Sequence, residues 1–246
     1  MVKKNLIFIK LGGSLITNKE KAFSLRRKNI KRVAISLSNI IRKKKNTLFI
    51  IGTGAGSFGH YTATVQDYRT ALGFAFLQQS VKELNAIVVE ELLGSDIPAV
   101  SLPFSAISTA SSDELKSVYL DSLAGFFNEG IVPIVYGDIV YDSKEHSAIF
   151  STEKIFSIII DKLRAFYQIK KIIHLTAVEE VLDDRDLVIP LITPQNYNSL
   201  RKHLSKAKGF DVTGGMVLKV EESLKLTQKG ITTYIVCGTI QDVLEK

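Results

Sequence analysis

The sequence predicts an α/β fold built on a mainly parallel sheet. Three observations carry this. Short apolar, β-branched runs bounded by glycine or proline recur along the chain, as expected of strands buried on both faces. Longer stretches with apolar residues at helical spacing lie between them. The two kinds of segment alternate, the order that produces parallel sheets covered by helices.

Taken in order, the first strand is NLIFIKL at residues 5–11, ended by Gly12 and Gly13. Residues 25–41 follow with apolar positions at Ile30, Val33, Ile35, Leu37, Ile40 and Ile41, a helix. Residues 47–52 form the second strand and run straight into a glycine-rich loop. Further strands are expected at 99–102, 131–135, 171–175 and 232–236. Further helices are expected at 74–93, 113–127, 153–166, 195–205 and 215–228. Residues 139–150 are short, polar and turn-rich, and fit a hairpin at a sheet edge. With no repeat and no clear linker, residues 1–246 read as one domain, with a lobe boundary near Val178.

The 246-residue chain is 46% hydrophobic, enough for a full core, and 23% charged, which does not indicate disorder. No apolar run approaches the roughly 18 residues of a membrane span. The opening apolar run breaks at Gly12 and reads as a buried strand rather than a signal peptide. The single cysteine, Cys237, excludes an internal disulfide, fits a reducing cytoplasm and reads as a small buried hydrophobe. Net charge is +7. The basic runs at 26–31 and 42–45 have no aromatic residues interleaved for base stacking and read as solvated helix faces. A positive field also attracts anionic substrates.

Three loops carry the chemistry. The first, KLGGS at residues 10–14, ends the first strand. Its glycines let the backbone approach a ligand, and Lys10 stands just before the turn, able to reach an anion. Lys19, nine residues on, is a second candidate cation. The second loop, GTGAGSFGH at residues 52–60, contains Gly54, Gly56 and Gly59 in the spacing of a dinucleotide fingerprint. That fingerprint calls for an acidic residue on the next strand, and the corresponding stretch lies inside a helical pattern instead. His60 closes this loop, where a histidine can donate to a phosphate. The third element is DVTGGM at residues 211–216, in which Asp211 or Thr213 can cap a helix, with Lys219 further along it. The P-loop, the protein-kinase signatures, a cysteine–histidine metal cluster and a GxSxG elbow are absent from the sequence.

Taken together and in this order, the loops resemble the amino acid kinase superfamily, and within it the isopentenyl phosphate kinases. KLGGSLITNK, GAGSFGH, VPIVYGDIV at residues 132–140 and DVTGGM with Lys219 carry the resemblance over nearly the whole chain. It implies a three-layer α/β/α sandwich around an open sheet, a homodimer, and ATP with Mg2+ as phosphoryl donor. Residues 1–177 would form mainly the acceptor lobe and 178–246 mainly the nucleotide lobe. Lys10, Lys19, His60 and Lys219 would be the catalytic residues. Lys10, Gly12, Gly13, Ser14, Gly56, Thr176, Gly215 and Lys219 would bind the nucleotide, the glycines through backbone N–H groups. Gly54, Ala55, Gly59, His60, Ser151 and Thr152 would bind the acceptor, with no metal held by the protein itself. Phe74 and Leu77, on the helix that also carries Leu72, Phe76 and Val81, would line a slot for an isoprenoid tail. The same apolar residues also fit plain core packing.

The chain departs from the family pattern twice. Thr176-Ala177-Val178-Glu179-Glu180 replaces an acidic-glycine turn, and Ser151-Thr152-Glu153-Lys154 replaces a Ser-Gly-Asp-Asp run. Glu153 would then stand in for the aspartate that orders the lysines. The sequence also stops soon after Gly238, where relatives tend to run on. Three readings therefore stand beside one another: an isopentenyl phosphate kinase, a same-fold kinase for another phosphate or phosphonate acceptor such as fosfomycin, and a non-catalytic ligand-binding relative. A dinucleotide-dependent oxidoreductase is the distant fourth.

Overall fold

A computed structural model describes residues 3–177, 181, 187–203 and 215–237. The order of elements is β1 (Asn5–Leu11), α1 (Gly13–Ile16), α2 (Arg27–Lys43), β2 (Thr47–Thr53), α3 (Gly56–Val65), α4 (Ala71–Leu93), β3 (Ala99–Ser101) and α5 (Phe104–Ile107). There follow β4 (Ser108–Ser111), β5 (Glu114–Val118), α6 (Asp121–Asn128), β6 (Val132–Tyr136), β7 (Asp138–Asp142), β8 (His146–Phe150) and α7 (Thr152–Leu163). The last part has β9 (Gln168–Thr176), α8 (Pro194–Leu200) with a 3₁₀ turn behind it, α9 (Gly215–Thr227) and β10 (Thr232–Cys237).

The main sheet has six strands in the order β10-β9-β1-β2-β6-β3, every pair parallel. Its alternation sorts β1 between two cores. Ile7, Ile9 and Leu11 pack with Ile30, Val33 and Leu37 of α2 and Leu84, Val88 and Leu92 of α4. Leu6 and Phe8 pack on the opposite face with Leu123 and Phe127 of α6 and Ile155 and Ile159 of α7. Helices thus cover both faces, giving the expected three layers. A crossover through α2 takes the chain from β1 to β2, and one through α9 on the other face takes it from β9 to β10. Chain order therefore reverses between β1 and β9. Open α/β sheets bind ligands beyond the carboxyl ends of their strands at such a reversal.

Two expectations need correction. Residues 113–127 are not one helix. Residues 114–118 are β5, paired antiparallel with β4, and only the second part is helical. The turn between these strands uses positive φ at Ser112 and Asp113. The carboxylate of Asp142, some thirty residues away, accepts from both of their N–H groups, at 3.1 and 2.8 Å. The glycine-rich loop also proves shorter than expected, because residues 56–65 continue as helix. The hairpin read at 139–150 is present as β7 and β8, and β8 is the edge of a separate four-stranded sheet, β5-β4-β7-β8. Residues 204–205 of the expected helix 195–205 lie outside the described residues, as do 178–180 and 211–214.

The first two chemical loops are locked together backbone to backbone. A Cβ at Gly13 would lie 2.7 Å from both N and Cα of Gly56, and one at Gly54 would lie 2.7 Å from the N of Gly13. The Thr17 hydroxyl bridges the pair, donating to the Gly13 carbonyl at 2.7 Å and accepting from the Ser57 N–H at 2.9 Å. Gly13→Ala is therefore expected to cost about 2–3 kcal/mol, lowering Tm by roughly 5–10 °C in thermal melts. Gly125→Ala, at an exposed position of α6 with nothing within 4 Å of the added methyl, is the control and should gain roughly 0.5–1 kcal/mol.

Candidate active site

Lys10 is the penultimate residue of β1 and is buried. Its cross-strand neighbours are Gly52 on β2 and His174 on β9. Glu153 enters from the first turn of α7, and its carboxylate pairs with the Lys10 ammonium. Two hydrogen bonds fix that helix end. Ser151 caps it by accepting from the Lys154 N–H at 3.1 Å, and Thr152 donates to the Thr53 carbonyl at 2.7 Å, tying α7 to the end of β2. Lys219, half-buried on α9, exerts its charge on both Glu153 and His174. One carboxylate, two ammoniums and one imidazole thus converge where the strand order reverses.

Burial opposes ionisation of Glu153, but Lys10, His174 and Lys219 outweigh it and hold the carboxyl down at about 2. Burial pushes the His174 imidazole down to about 3, with Lys10 and Lys219 acting in the same sense and Glu153 opposing. At neutral pH the cluster is a charged Lys–Glu–Lys set around an uncharged imidazole. Its excess positive charge suits an anion.

His60 is buried on α3, one turn beyond Gly56. Lys19 is half-buried in the 18–24 loop. That loop is closed by the Asn18 N–H donating to the Ser24 carbonyl at 2.9 Å and anchored by the Ser24 N–H donating to the Ser57 hydroxyl at 3.1 Å. The loops bearing Lys10, Lys19 and His60 are therefore one connected assembly. Phe74 and Leu77 lie in an apolar cluster with Val81, Tyr136 and Ile139, which Ala55 of the glycine loop also touches. Gly59, beside His60, faces this cluster so closely that a Cβ would meet Ala55 at 2.6 Å and Val81 at 2.7 Å. Leu72 and Phe76 instead point outward.

Several predicted donors are committed elsewhere. The Gly12 N–H donates to the Leu175 carbonyl at 2.8 Å and the Gly54 N–H to the Leu11 carbonyl at 2.9 Å, so these two amides join strand ends rather than face a phosphate. The hydroxyls of Ser151 and Thr152 brace α7, and the Thr176 hydroxyl donates to the Val236 carbonyl at 3.3 Å. Gly13 and Gly56 head α1 and α3, where first-turn amides lack intrahelical acceptors. Ser14 is half-buried in α1, and Gly215 opens α9. Sequence reasoning missed His174. The signal was there: a single polar residue inside the apolar run Ile172-Ile173-His174-Leu175.

Comparison with known proteins gives the family. Residues 5–237 match the model of the amino acid kinase family. The chain belongs to that family. It is 32% identical to isopentenyl phosphate kinase of Methanothermobacter thermautotrophicus, covering 98% of this chain and 94% of the relative. It is 28% identical to the isopentenyl phosphate kinase of Methanocaldococcus jannaschii over 88% and 85% of the two chains. A solved isopentenyl phosphate kinase superposes with a TM-score of 0.74 at 30% identity, covering 96% of this chain and 92% of that one. Within the amino acid kinase family this chain is thus a small-molecule kinase of the isopentenyl phosphate kinase group.

The two depressed pKa values give this kinase an acid-sensitive centre. Unfolded, His174 takes up a proton near pH 6.5; folded, it resists until about 3. Unfolded Glu153 protonates near 4.5, and the folded group near 2. In both windows the unfolded chain binds more protons, so stability falls as pH drops from about 6.5 toward 2. Denaturant melts should show a loss of up to roughly one kcal/mol per pH unit between 6 and 4, and His174→Asn should flatten it. An equal slope in the variant would assign the acid sensitivity to other groups.

Proposed function

We propose that this kinase transfers the γ-phosphoryl group of ATP to isopentenyl phosphate, giving isopentenyl diphosphate and ADP. The observation that carries the reading is the Lys10–Glu153–Lys219 cluster at the strand-order reversal, joined through the locked loops to a buried His60 whose neighbour Gly59 packs against an apolar cluster. Cations at one side suit two phosphates, and an apolar surface behind the histidine suits a short hydrocarbon tail. Phosphoryl transfer needs the donor and acceptor in line and charge neutralised around the oxygens more than it needs covalent help.

An oxygen of the acceptor phosphate attacks the γ-phosphorus while the bond to the ADP oxygen breaks. The acceptor is already ionised, so no side chain has to remove a proton. Lys10 neutralises the transferring group, Lys19 adds charge from its loop, and Lys219 holds the donor phosphates from α9. His60 holds the acceptor phosphate. The Gly13 and Gly56 amides at the helix starts add N–H donors. Phe74 and Leu77 flank the tail. Among the described residues no three histidine, cysteine, aspartate or glutamate side chains come together to hold a metal, and Glu153 is engaged by Lys10. Mg2+ would then be held by the nucleotide's phosphate oxygens and would supply charge neutralisation there. The reading includes a homodimer, a cytoplasmic location, an acceptor lobe over residues 1–177 and a nucleotide lobe over 178–246. Among the described residues no helix is long and apolar enough to cross a membrane.

The test is transfer of labelled phosphate from Mg-ATP to isopentenyl phosphate by the purified chain. Wild-type turnover is expected, with His60→Ala reducing kcat/KM by roughly 10²–10³-fold, the scale of losing one preorganised donor. Transfer to fosfomycin or another small phosphate in preference to isopentenyl phosphate would replace the acceptor. Nucleotide binding without any transfer would make the chain a non-catalytic member of its family.

A further inference from the structure

His174 lies in the most buried layer of the molecule, on β9 between Lys10 of β1 and Ile235 of β10. Its neighbours along the strand, Ile172, Ile173 and Leu175, are all buried core residues. Its Nδ1 is buried without a hydrogen-bond partner among the described residues. Buried polar atoms in folded proteins are nearly always paired, because an unpaired one forfeits its hydration for nothing. An aliphatic or aromatic side chain here would serve packing better. The imidazole is thus a local defect of the core, and it is placed against the groups expected to act on phosphate. The charged groups that act on it are Lys10 from β1, Glu153 from α7 and Lys219 from α9.

We infer that His174 is a further positioning residue of the phosphoryl-transfer site, acting through its imidazole on its cross-strand neighbour Lys10. The inference rests on the kinase reading above. Glu153 is a single carboxylate serving two ammoniums. When a transferring phosphoryl group draws Lys10 toward itself, the lysine exchanges part of its bond to Glu153 for the phosphate. A neutral imidazole beside it can accept a hydrogen bond from an ammonium without adding or removing charge. It thereby steers the ammonium while leaving the excess positive charge for the substrate. A carboxylate in its place would cancel that charge, and a third cation would compete for Glu153. The neutral form is the one that burial beside two lysines imposes. A residue that acts through others in this way alters the transition state more than the binding of either substrate.

The experiment compares wild type, His174→Phe and His174→Asn in steady-state transfer from Mg-ATP to isopentenyl phosphate, with thermal melts of each. Phenylalanine keeps the ring and removes both nitrogens. Asparagine places an amide near the position of Nδ1. The expected result is a kcat at least tenfold lower in His174→Phe, with both KM values within threefold of wild type and Tm equal or higher. His174→Asn should recover part of the lost kcat. Wild-type kcat in His174→Phe would overturn the inference, as would a joint fall in kcat and Tm in both variants, which marks a packing role. An inactive wild type would remove the kinase reading and this inference with it. An active wild type with indifferent variants removes this inference alone.

Discussion

The buried pair between Lys10 and Glu153 is the interaction on which the architecture of the site turns. Taking two charges out of water costs several kcal/mol per ion, and their attraction returns this only when geometry and further partners are good. Here the geometry comes from the scaffold. Lys10 is held by strand pairing on both sides, and Glu153 by a helix whose first turn is fixed by Ser151 and Thr152. Removing either partner strands the other in the core, which is why the two elements must arrive together. Stability alone does not favour such a pair over apolar side chains of the same volume. Its presence at the carboxyl end of the central strand marks a site maintained for the handling of charge.

The same end of the sheet carries a second constraint, which is distance. The loops after β1 and β2 approach until their backbones touch, and only glycine at positions 13, 54 and 56 permits it. The glycines read in the sequence as phosphate cradles serve first as the joint between two loops. At residue 54 that joint uses the amide outright, donated to the Leu11 carbonyl, while the Gly12 amide ties the end of β1 to β9. The remaining helix-start amides, at residues 13 and 56, sit on either side of the contact, so the joint sets their spacing. A cradle for anions and a mechanical junction are here one structure.

Much of this was legible in the sequence, and the reasons are local. The inner main-sheet strands β1, β2 and β6 are largely buried, bounded apolar runs, so periodicity found them. The glycine clusters announced themselves because each follows such a run. What stayed hidden depends on partners distant in the chain. Residues 113–118 carry charges at helical spacing, and only the Asp142 carboxylate, folded back on the Ser112 and Asp113 amides, makes the turn there. Thr152, Gly12 and Gly54 looked like ligand donors because composition cannot say which acceptor a donor will meet. His174 was passed over because one polar residue in an apolar strand reads as noise until the fold sets Lys10 beside it.

The distribution of charge between the two ends of the site follows from these placements. Glu153 neutralises one ammonium, so Lys10 and Lys219 together leave a single net positive charge at a partly buried site, where each charge counts for more than at the surface. Four negative charges on ATP and two on an acceptor phosphate are more than that can balance. The half-buried Lys19 on its anchored loop and a metal riding on the nucleotide are what the arithmetic calls for. The sequence supplies the first. A site so constructed is only weakly charged when empty and becomes electrostatically complete when both phosphates are present. That difference between the empty and the filled site is what directs binding energy toward the transfer itself rather than toward holding either substrate alone.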